Sequence, residues 1–231
     1  MHRWKQHRET ALSSEQEQAL PREVFRWIRL LFWSNLIAIP ASALLYGEHF
    51  DVVTYPLSWL GNPSTIGGLP NQRGMLIFDA NLLFSSFVCL RLARLSWRGA
   101  RTPILRIVAF LFLLAAVGLV VAMAPCATHD PVHRIGAGLM TTSFWLLGFV
   151  LLFETRRYAR PLWFYPTVVA NHLFLYIYAA MFFANRPAQT LLQKVAFFGL
   201  LWNLYLPARR ALAHAPQETP EPELGLELSE N

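Results

Sequence analysis

The chain has 231 residues, of which 55% are apolar and only 15% are charged, and its mean hydropathy is +0.34. Because soluble domains carry about 25% charged residues, this composition excludes an ordinary water-soluble globule. The net charge of +6 is typical of a membrane protein whose basic loops face anionic lipids, and it requires no nucleic-acid partner.

Six long apolar segments follow one another along the chain. Each is roughly 16 to 24 residues long, which is the length a helix needs to cross the hydrocarbon core. They do not alternate between polar and apolar residues, which disfavours barrel strands. Proline precedes or opens five of them, and Thr102 and Asp130 are suitable N-caps. The sequence therefore predicts an all-α, polytopic bundle of six transmembrane helices, at residues 30–46, 75–90, 107–125, 135–153, 161–184 and 188–207.

The basic residues are distributed very unevenly between the two ends of these spans. If the N-terminus is cytoplasmic, only four of the 20 lysines and arginines fall in the outer half, namely Arg73, Arg134, Arg186 and Lys194. Cytoplasmic loops are enriched in Lys and Arg, so both termini are expected inside. We expect an integral protein of a membrane, specifically the cytoplasmic (inner) membrane of a bacterium.

The two ends of the chain differ in composition from the six-span domain at residues 24–208. Residues 1–23 form a cytoplasmic segment in which Ser14 and Glu17 match a capping box, predicting a short helix that ends at Pro21. Residues 209–231 are acidic and rich in proline, so we expect a disordered cytoplasmic tail. Cys89 and Cys126 fall toward opposite membrane faces and are expected to be free thiols.

Three ionisable residues fall inside the predicted spans, where each is costly unless it is paired or faces a cavity. Asp79 lies about one turn from the outer end of the second span, Lys194 about two turns from the outer end of the sixth, and His172 near mid-membrane. We expect an ion pair between Asp79 and Lys194. The amide side chains available for further hydrogen bonds are Asn81, Asn171 and Gln193. The set indicates a structural polar clamp, a functional pocket or groups that snorkel to the interface.

A long outer loop, residues 47–74, separates the first two spans and carries His49, Tyr55 and Trp59. Loops of this length are usually functional or disordered, and this one is too aromatic to be disordered. We expect it to fold over the outer mouth of the bundle. The alternative is that Tyr55 and Trp59 are simply interfacial aromatics.

His129 and His133 are spaced as a metal pair on one helix face would be. If Asp130 is the N-cap, however, His129 lies outside the helix, and capping becomes the better interpretation. His172 is the only histidine at mid-membrane depth, whereas a membrane cytochrome would use two. No metal is therefore predicted, the cofactor is unknown, and no motif identifies catalytic residues.

Two short motifs carry a resemblance to a known family. They are Tyr-Pro-Leu-Ser-Trp-Leu-Gly at residues 55–61 and Phe-Asp-Ala-Asn at residues 78–81, and the turn from Pro125 to His133 fits the same pattern. Together they resemble an uncharacterised family of small bacterial and archaeal membrane proteins, domain of unknown function 998. That family is similar in turn to the DRAM/Sfk-type, or FRAG-like, membrane proteins. The resemblance implies a six-helix bundle associated with membrane lipids and no established catalytic residues.

Two function classes are compatible with these residues. In the first, the protein is a structural, assembly or lipid- or partner-binding component, whose partners are membrane lipids, other membrane subunits or a second copy of itself. In the second, it is a membrane enzyme or a carrier for a lipid or small polar solute. The second requires an outer-leaflet polar pocket, for which the candidate residues are Asp79, Asn81, His133, His172, Lys194 and His49.

Overall fold

The computed structural model describes residues 2–98, 102–154, 156, 161–183 and 189–213. This part of the chain contains no strand, which confirms the all-α prediction. A short 3-10 helix at Leu57–Gly61 lies in the loop between the first two helices. The α-helices of the described residues are α1 His2–Leu44, α2 Gln72–Arg98, α3 Pro103–Val121, α4 Asp130–Glu154, α5 Pro161–Phe183 and α6 Gln189–Ala213.

Four segments of the described residues are long and apolar enough to cross a membrane: Arg22–Leu44, which is the second half of α1, and the whole of α2, α3 and α4. Their outward faces carry large apolar side chains that a soluble protein would bury. Ile37, Leu76, Ile135 and Phe110 are 66%, 69%, 68% and 56% exposed, respectively. Lipid is the environment in which such a surface is stable, so the protein is membrane-embedded.

Five of the helices form a closed ring of neighbours, in the order α1, α2, α3, α4 and α6. Helix α5 packs against α6 and α4. Fully buried side chains fill the centre of the ring, including Val88 and Leu92 of α2, Phe112 of α3 and Leu147 of α4. This arrangement brings α6, the last helix, next to α1, the first.

Helices α3 and α4 approach each other so closely that glycine is required on both. A Cβ atom at Gly118 would lie 2.5 Å from the backbone nitrogen of Met140, and one at Gly136 would lie 2.3 Å from that of Ala122. Small residues allow this approach, which is how helices in membranes gain packing energy without a hydrophobic driving force. The pair is therefore a fixed element of the bundle.

The helix ends agree in part with the proline and capping signals. Pro103 opens α3, and the side chain of Thr102 accepts a hydrogen bond from the Leu105 backbone nitrogen, as predicted. Asp130 does not act as an N-cap: it is the first residue of α4, and its carboxylate binds Arg134 at 2.7 Å. The reason is that helical hydrogen bonding already begins at His129, whose carbonyl accepts from the His133 amide.

Helices α1 and α6 both extend further into the terminal segments of the chain than the apolar pattern predicts. Helix α1 runs from His2 through Pro21 without a break, so the separate short helix expected before Pro21 is not formed. Helix α6 continues through Pro207 to Ala213. The remainder of the predicted acidic tail, residues 214–231, lies outside the described residues.

Candidate functional site at the outer end of the bundle

The loop between α1 and α2, residues 45–71, forms a folded cap on one end of the bundle. Following the predicted orientation, we term this end the outer end. Tyr46, Phe50 and Tyr55 pack edge to face, with ring centroids 5.2 to 6.3 Å apart. The Tyr46 hydroxyl accepts a hydrogen bond from the Ile66 amide at 3.1 Å. Burial raises the pKa of the Tyr46 phenol, because phenolate would lose its hydration there.

Two asparagines fix the second half of the cap. The side-chain amide of Asn71 donates to the carbonyls of Leu60 and Asn62, at 3.1 and 2.9 Å. Asn62 donates to the thiol sulfur of Cys126 and accepts from the Ala127 amide, each at 3.1 Å. The cap is thus tied to the turn between α3 and α4. Cys126 and the buried Cys89 are both free thiols, as predicted.

Asp51 shapes the exposed first half of the cap. Its carboxylate accepts hydrogen bonds from the Thr54 hydroxyl at 2.8 Å and from the Val53 amide at 2.8 Å. The Thr54 hydroxyl and the backbone amides of Val53 and Thr54 hold the pKa of Asp51 below its ordinary value. This carboxylate therefore serves a turn that brings the chain back toward the bundle.

Helix α6 holds the cap through three polar side chains on one face. The Thr190 hydroxyl donates to the Val53 carbonyl, the Gln193 side-chain oxygen accepts from the Leu57 amide, and the Lys194 ammonium donates to the Tyr55 carbonyl. The spacing of these side chains on α6, at i, i+3 and i+4, puts them on one face of the helix. Their backbone partners, the carbonyls of Val53 and Tyr55 and the amide of Leu57, run from the turn at residues 52–54 to the start of the 3-10 helix. We term Thr190, Gln193 and Lys194 the cap clamp.

Lys194 is only 7% exposed, and its partners explain how a cation is accommodated there. Its ammonium donates to the carbonyls of Tyr55 at 2.6 Å and Thr190 at 3.0 Å, and it lies 5.9 Å from the ring centroid of Phe50. The expected ion pair with Asp79 is wrong, since no salt bridge joins these two described residues. The lysine is used to bind backbone rather than a carboxylate.

Asp79 lies elsewhere on the outer end, under the 3-10 helix of the cap. A Cβ atom at Gly61 would be 3.4 Å from the Asp79 carboxylate oxygen Oδ1. That oxygen is buried and has no hydrogen-bond partner among the described residues. A carboxylate oxygen left in this state lowers stability, because its lost hydration is not replaced.

Asn81, two residues along α2 from Asp79, belongs to a different polar cluster. Its side-chain amide donates to the Asn35 oxygen at 2.9 Å, and Asn35 donates to the Ser85 hydroxyl at 3.0 Å and the Leu31 carbonyl at 2.8 Å. Asn35 is 1% exposed and Asn81 is 5% exposed. The cluster joins α1 to α2 inside the bundle, so Asn81 has a structural environment rather than an open pocket.

The three candidate histidines lie in different parts of the protein and make different contacts. His133 lies at the start of α4, and its Nδ1 donates to the Ala124 carbonyl at 3.0 Å, so it closes the turn after α3. His49 lies exposed on the cap. His172 of α5 donates from Nδ1 to the carbonyl of Val168, one turn earlier, at 2.9 Å. This bond requires a proton on Nδ1 and leaves Nε2 as the acceptor of the neutral ring.

Aromatic rings and an asparagine pair surround the position of His172. Its ring centroid lies 5.5 Å from that of Trp145 and 5.3 Å from that of Phe149. On the adjacent face, Asn203 of α6 donates to the Asn171 oxygen at 2.6 Å. A cavity of about 10 Å³ adjoins this pair, which is room for about one water molecule. The buried Asn171 nitrogen has no partner among the described protein groups and fits such a water.

The structure therefore does not gather the candidate residues into one pocket. Lys194 belongs to the cap clamp, Asn81 to the α1–α2 cluster, His133 to the α3–α4 turn and His172 to the α4–α5 contact. Within the described ranges, no group of three or more His, Cys, Asp or Glu side chains is placed to hold a metal ion. Sequence reasoning missed Asn35 and Thr190, although their polar character inside or beside an apolar segment is a visible signal.

Comparison with models of protein families, with curated proteins and with solved structures finds no match to this chain. The function is accordingly inferred from the geometry described above.

Proposed function

We propose that the chain is a six-span membrane protein that works as a binding or assembly component, presenting its folded cap at the outer surface. The proposal places it in the bacterial cytoplasmic membrane with both termini inside. It also retains membership of the uncharacterised family 998, on the strength of the motifs at residues 55–61 and 78–81.

Contacts at both ends of α6 support six spans. At its beginning, Thr190 and Lys194 bind the cap at the outer end. Further along, Tyr205 stacks on Phe32 at 4.9 Å and contacts Phe25 at 5.7 Å, near the opposite end of the α1 span. At about 1.5 Å per residue, α6 is about 37 Å long, enough to cross the hydrocarbon core. Helix α6 therefore runs antiparallel to α1 through the bundle.

The positions of α4 and α6 support a membrane-crossing path for α5. Its 23 residues lie between the end of α4 and the beginning of α6, and it packs against both helices. The end of α4 lies at the inner end, because α4 begins beside the cap at the turn that Asn62 contacts. A helix of about 34 Å that starts at the inner end and is followed by α6 at the outer end is long enough to cross the membrane, which supports the proposed fifth span.

One observation supports a binding role over catalysis: the side chains of the cap clamp, Asn81 and His133 are engaged in holding the protein together. A catalytic site needs groups that converge on an open space with a nucleophile, base or electrostatic stabiliser in reach. Here the side chains of the cap clamp, Asn81 and His133 are directed at backbone or at other structural residues. A cap that is hydrogen-bonded to α6 in this way is suited to recognition.

Photo-cross-linking tests the proposal. A photoreactive side chain placed at Val52 or Ile66, which are 56% and 43% exposed on the cap, should give a discrete adduct with one lipid species or one membrane subunit. The matched control is Leu83, 50% exposed on the lipid-facing side of α2, which should give only the bulk lipid mixture. Identical adduct patterns at the cap and at Leu83 would contradict the binding role.

Asp79 is the observation that favours the alternative, an enzyme or carrier with an outer pocket, because its Oδ1 is not used structurally. A water-filled pocket that includes His172 would make a cysteine at that position react quickly with a membrane-impermeant thiol reagent, after Cys89 and Cys126 are replaced. In the binding protein proposed here, His172→Cys is protected while Ser64→Cys on the cap reacts. Rapid reaction at position 172 would favour the pocket.

A further inference from the structure

An open groove lies beside the cap, between the last turn of α1 and the first turn of α2. Its volume is about 390 Å³, the larger of the two cavities described here. Leu44, Leu45 and Tyr46 form one wall, and Pro70, Gln72 and Arg73 form the other. A groove of this size is within the usual range for a small-molecule site. Apart from Tyr46, whose hydroxyl binds the Ile66 amide, no lining residue takes part in the polar contacts described above.

The position of the groove relative to the spans sets the environment it faces. The segment Arg22–Leu44 ends at the groove and the segment Gln72–Arg98 begins there. The groove therefore lies where the hydrocarbon core gives way to lipid headgroups. Its membrane side is apolar, since Leu44 is 85% exposed and Leu76, one turn further along α2, is 69% exposed.

The polar side of the groove carries Arg73, a cation that has no carboxylate partner among the described residues. Arg73 is exposed, and no ion pair or hydrogen bond of its side chain is formed among the described residues. Neither acidic residue of the cap forms a salt bridge with Arg73: Glu48 accepts from the Gly67 amide at 3.1 Å, and Asp51 accepts from the Val53 amide at 2.8 Å. The amino end of α2 adds to the positive potential at the same place.

We propose that this groove binds an anionic phospholipid of the outer leaflet. In this arrangement the Arg73 guanidinium contacts the lipid phosphate, the Gln72 amide contacts headgroup hydroxyls, and an acyl chain lies along Leu44 and Leu76. Guanidinium and phosphate form charge-assisted, bidentate hydrogen bonds, and the apolar rim explains why the occupant is a lipid rather than a soluble phosphate. The inference rests on the proposed function and identifies the ligand class at one site.

Native mass spectrometry of the full-length protein in detergent, titrated with phosphatidylglycerol or phosphatidylcholine, tests this site. The wild type should bind one phosphatidylglycerol in preference to phosphatidylcholine. Arg73→Gln removes the cation, and Leu45→Trp fills the groove without changing the charge. Arg73→Gln should weaken phosphatidylglycerol binding about 10-fold, the effect of losing one charge-assisted contact. Leu45→Trp should weaken it at least as much, because the indole occupies the space of the lipid. Arg134→Gln, which removes an outer arginine that pairs with Asp130, should leave the affinity unchanged.

Three results would overturn the inference. Phosphatidylglycerol binding that survives both Arg73→Gln and Leu45→Trp would place the lipid elsewhere. An equal loss in Arg134→Gln would indicate a general charge effect, and displacement of the lipid by an equimolar concentration of glycerol phosphate would indicate a soluble ligand. In each case the adducts at Val52 and Ile66 of the cap test the proposed function independently, so a failed groove and a failed binding role are distinguishable.

Discussion

Lys194 donates its ammonium to the backbone carbonyl of Tyr55 at 2.6 Å, joining residues separated by 139 positions in the sequence. The contact connects the last helix to the loop between the first two, and thereby closes the ring of helices at its outer end. Burying a lysine is costly unless its protons find acceptors, and here carbonyl oxygens and the face of Phe50 supply them. The Lys194 ammonium therefore holds the cap against α6.

Replacing Lys194 by methionine should loosen the cap while leaving the bundle folded. Methionine matches the length of the lysine stem but cannot donate to Tyr55 or Thr190. A cysteine introduced at the half-buried Ser58, with Cys126 replaced, reports the opening through its rate of reaction with a thiol reagent. Loss of a charged hydrogen bond predicts a rate increase of about 10-fold or more.

The control for this experiment is the next residue of α6. Val195 is 39% exposed and does not belong to the cap clamp, so Val195→Met should leave the labelling rate at Ser58→Cys unchanged. Gln193→Leu, which removes the acceptor for the Leu57 amide, should give an intermediate rate. If Lys194→Met and Val195→Met label alike, the clamp does not hold the cap.

Asp79 and Asn81 make a matched pair, because they are two residues apart on α2 and differ in their partners. Asn81→Leu leaves the Asn35 oxygen without its donor, and should lower the free energy of unfolding by about 1 to 2 kcal/mol. Asp79→Leu removes an oxygen that has no partner, and should leave stability unchanged or raise it. Thermal unfolding in one detergent, followed by fluorescence, measures both.

The stability of the Asp79→Leu variant also tests whether Asp79 forms an ion pair with Lys194. An ion pair with Lys194 would make Asp79→Leu as harmful as breaking any buried salt bridge, a loss of about 3 to 5 kcal/mol. A double-mutant cycle between Asn35 and Asn81 should show strong coupling, whereas one between Asp79 and Lys194 should be additive. Coupling of Asp79 to Lys194 would contradict the contacts described here.

The helices could be predicted from the sequence far better than the contacts between them. A span is a local property: continuous apolar residues, a proline such as Pro103 and a cap such as Thr102 determine where it begins, without reference to the rest of the chain. Depth in the membrane, however, gives only a position along the helix axis. Asp79 and Lys194 are predicted at similar depths, but which way each helix face is turned depends on packing that the pattern does not contain.

Backbone partners are a second reason why the site was predicted incompletely. The sequence predicts a carboxylate as the partner of Lys194, whereas the structure supplies the carbonyl of Tyr55. Any loop residue offers such a carbonyl, so the sequence carries no specific signal for it. The sequence predicts a polar role for Asn81, but nothing in it pairs this residue with Asn35, because a side-chain amide bonds to whichever donor or acceptor the helix packing brings near.

The close approach of α3 and α4 predicts a large effect from a single methyl group. Gly136→Ala places a carbon 2.3 Å from the Ala122 backbone nitrogen, so the helices have to separate. Overpacking of this kind should lower the free energy of unfolding by about 1 to 3 kcal/mol. Gly138→Ala, on the same helix, has open space around it and should be neutral or slightly stabilising. Equal effects in a thermal unfolding assay would contradict the interface.

The number of spans is decided at the connection between α5 and α6. Four spans and six spans both leave the two termini on the same side, so labelling of the ends cannot distinguish them. A cysteine at Asn185, between the two helices, lies outside if α5 and α6 cross and inside if they do not.

Because the beginning of α6 binds the cap through Thr190, we expect a membrane-impermeant thiol reagent to label Asn185→Cys and Ser64→Cys from the same side. Thr219→Cys, beyond α6, should be labelled only after the membrane is made permeable. Labelling of Asn185→Cys together with Thr219→Cys would instead leave α5 and α6 on the inner side and remove the basis for six spans.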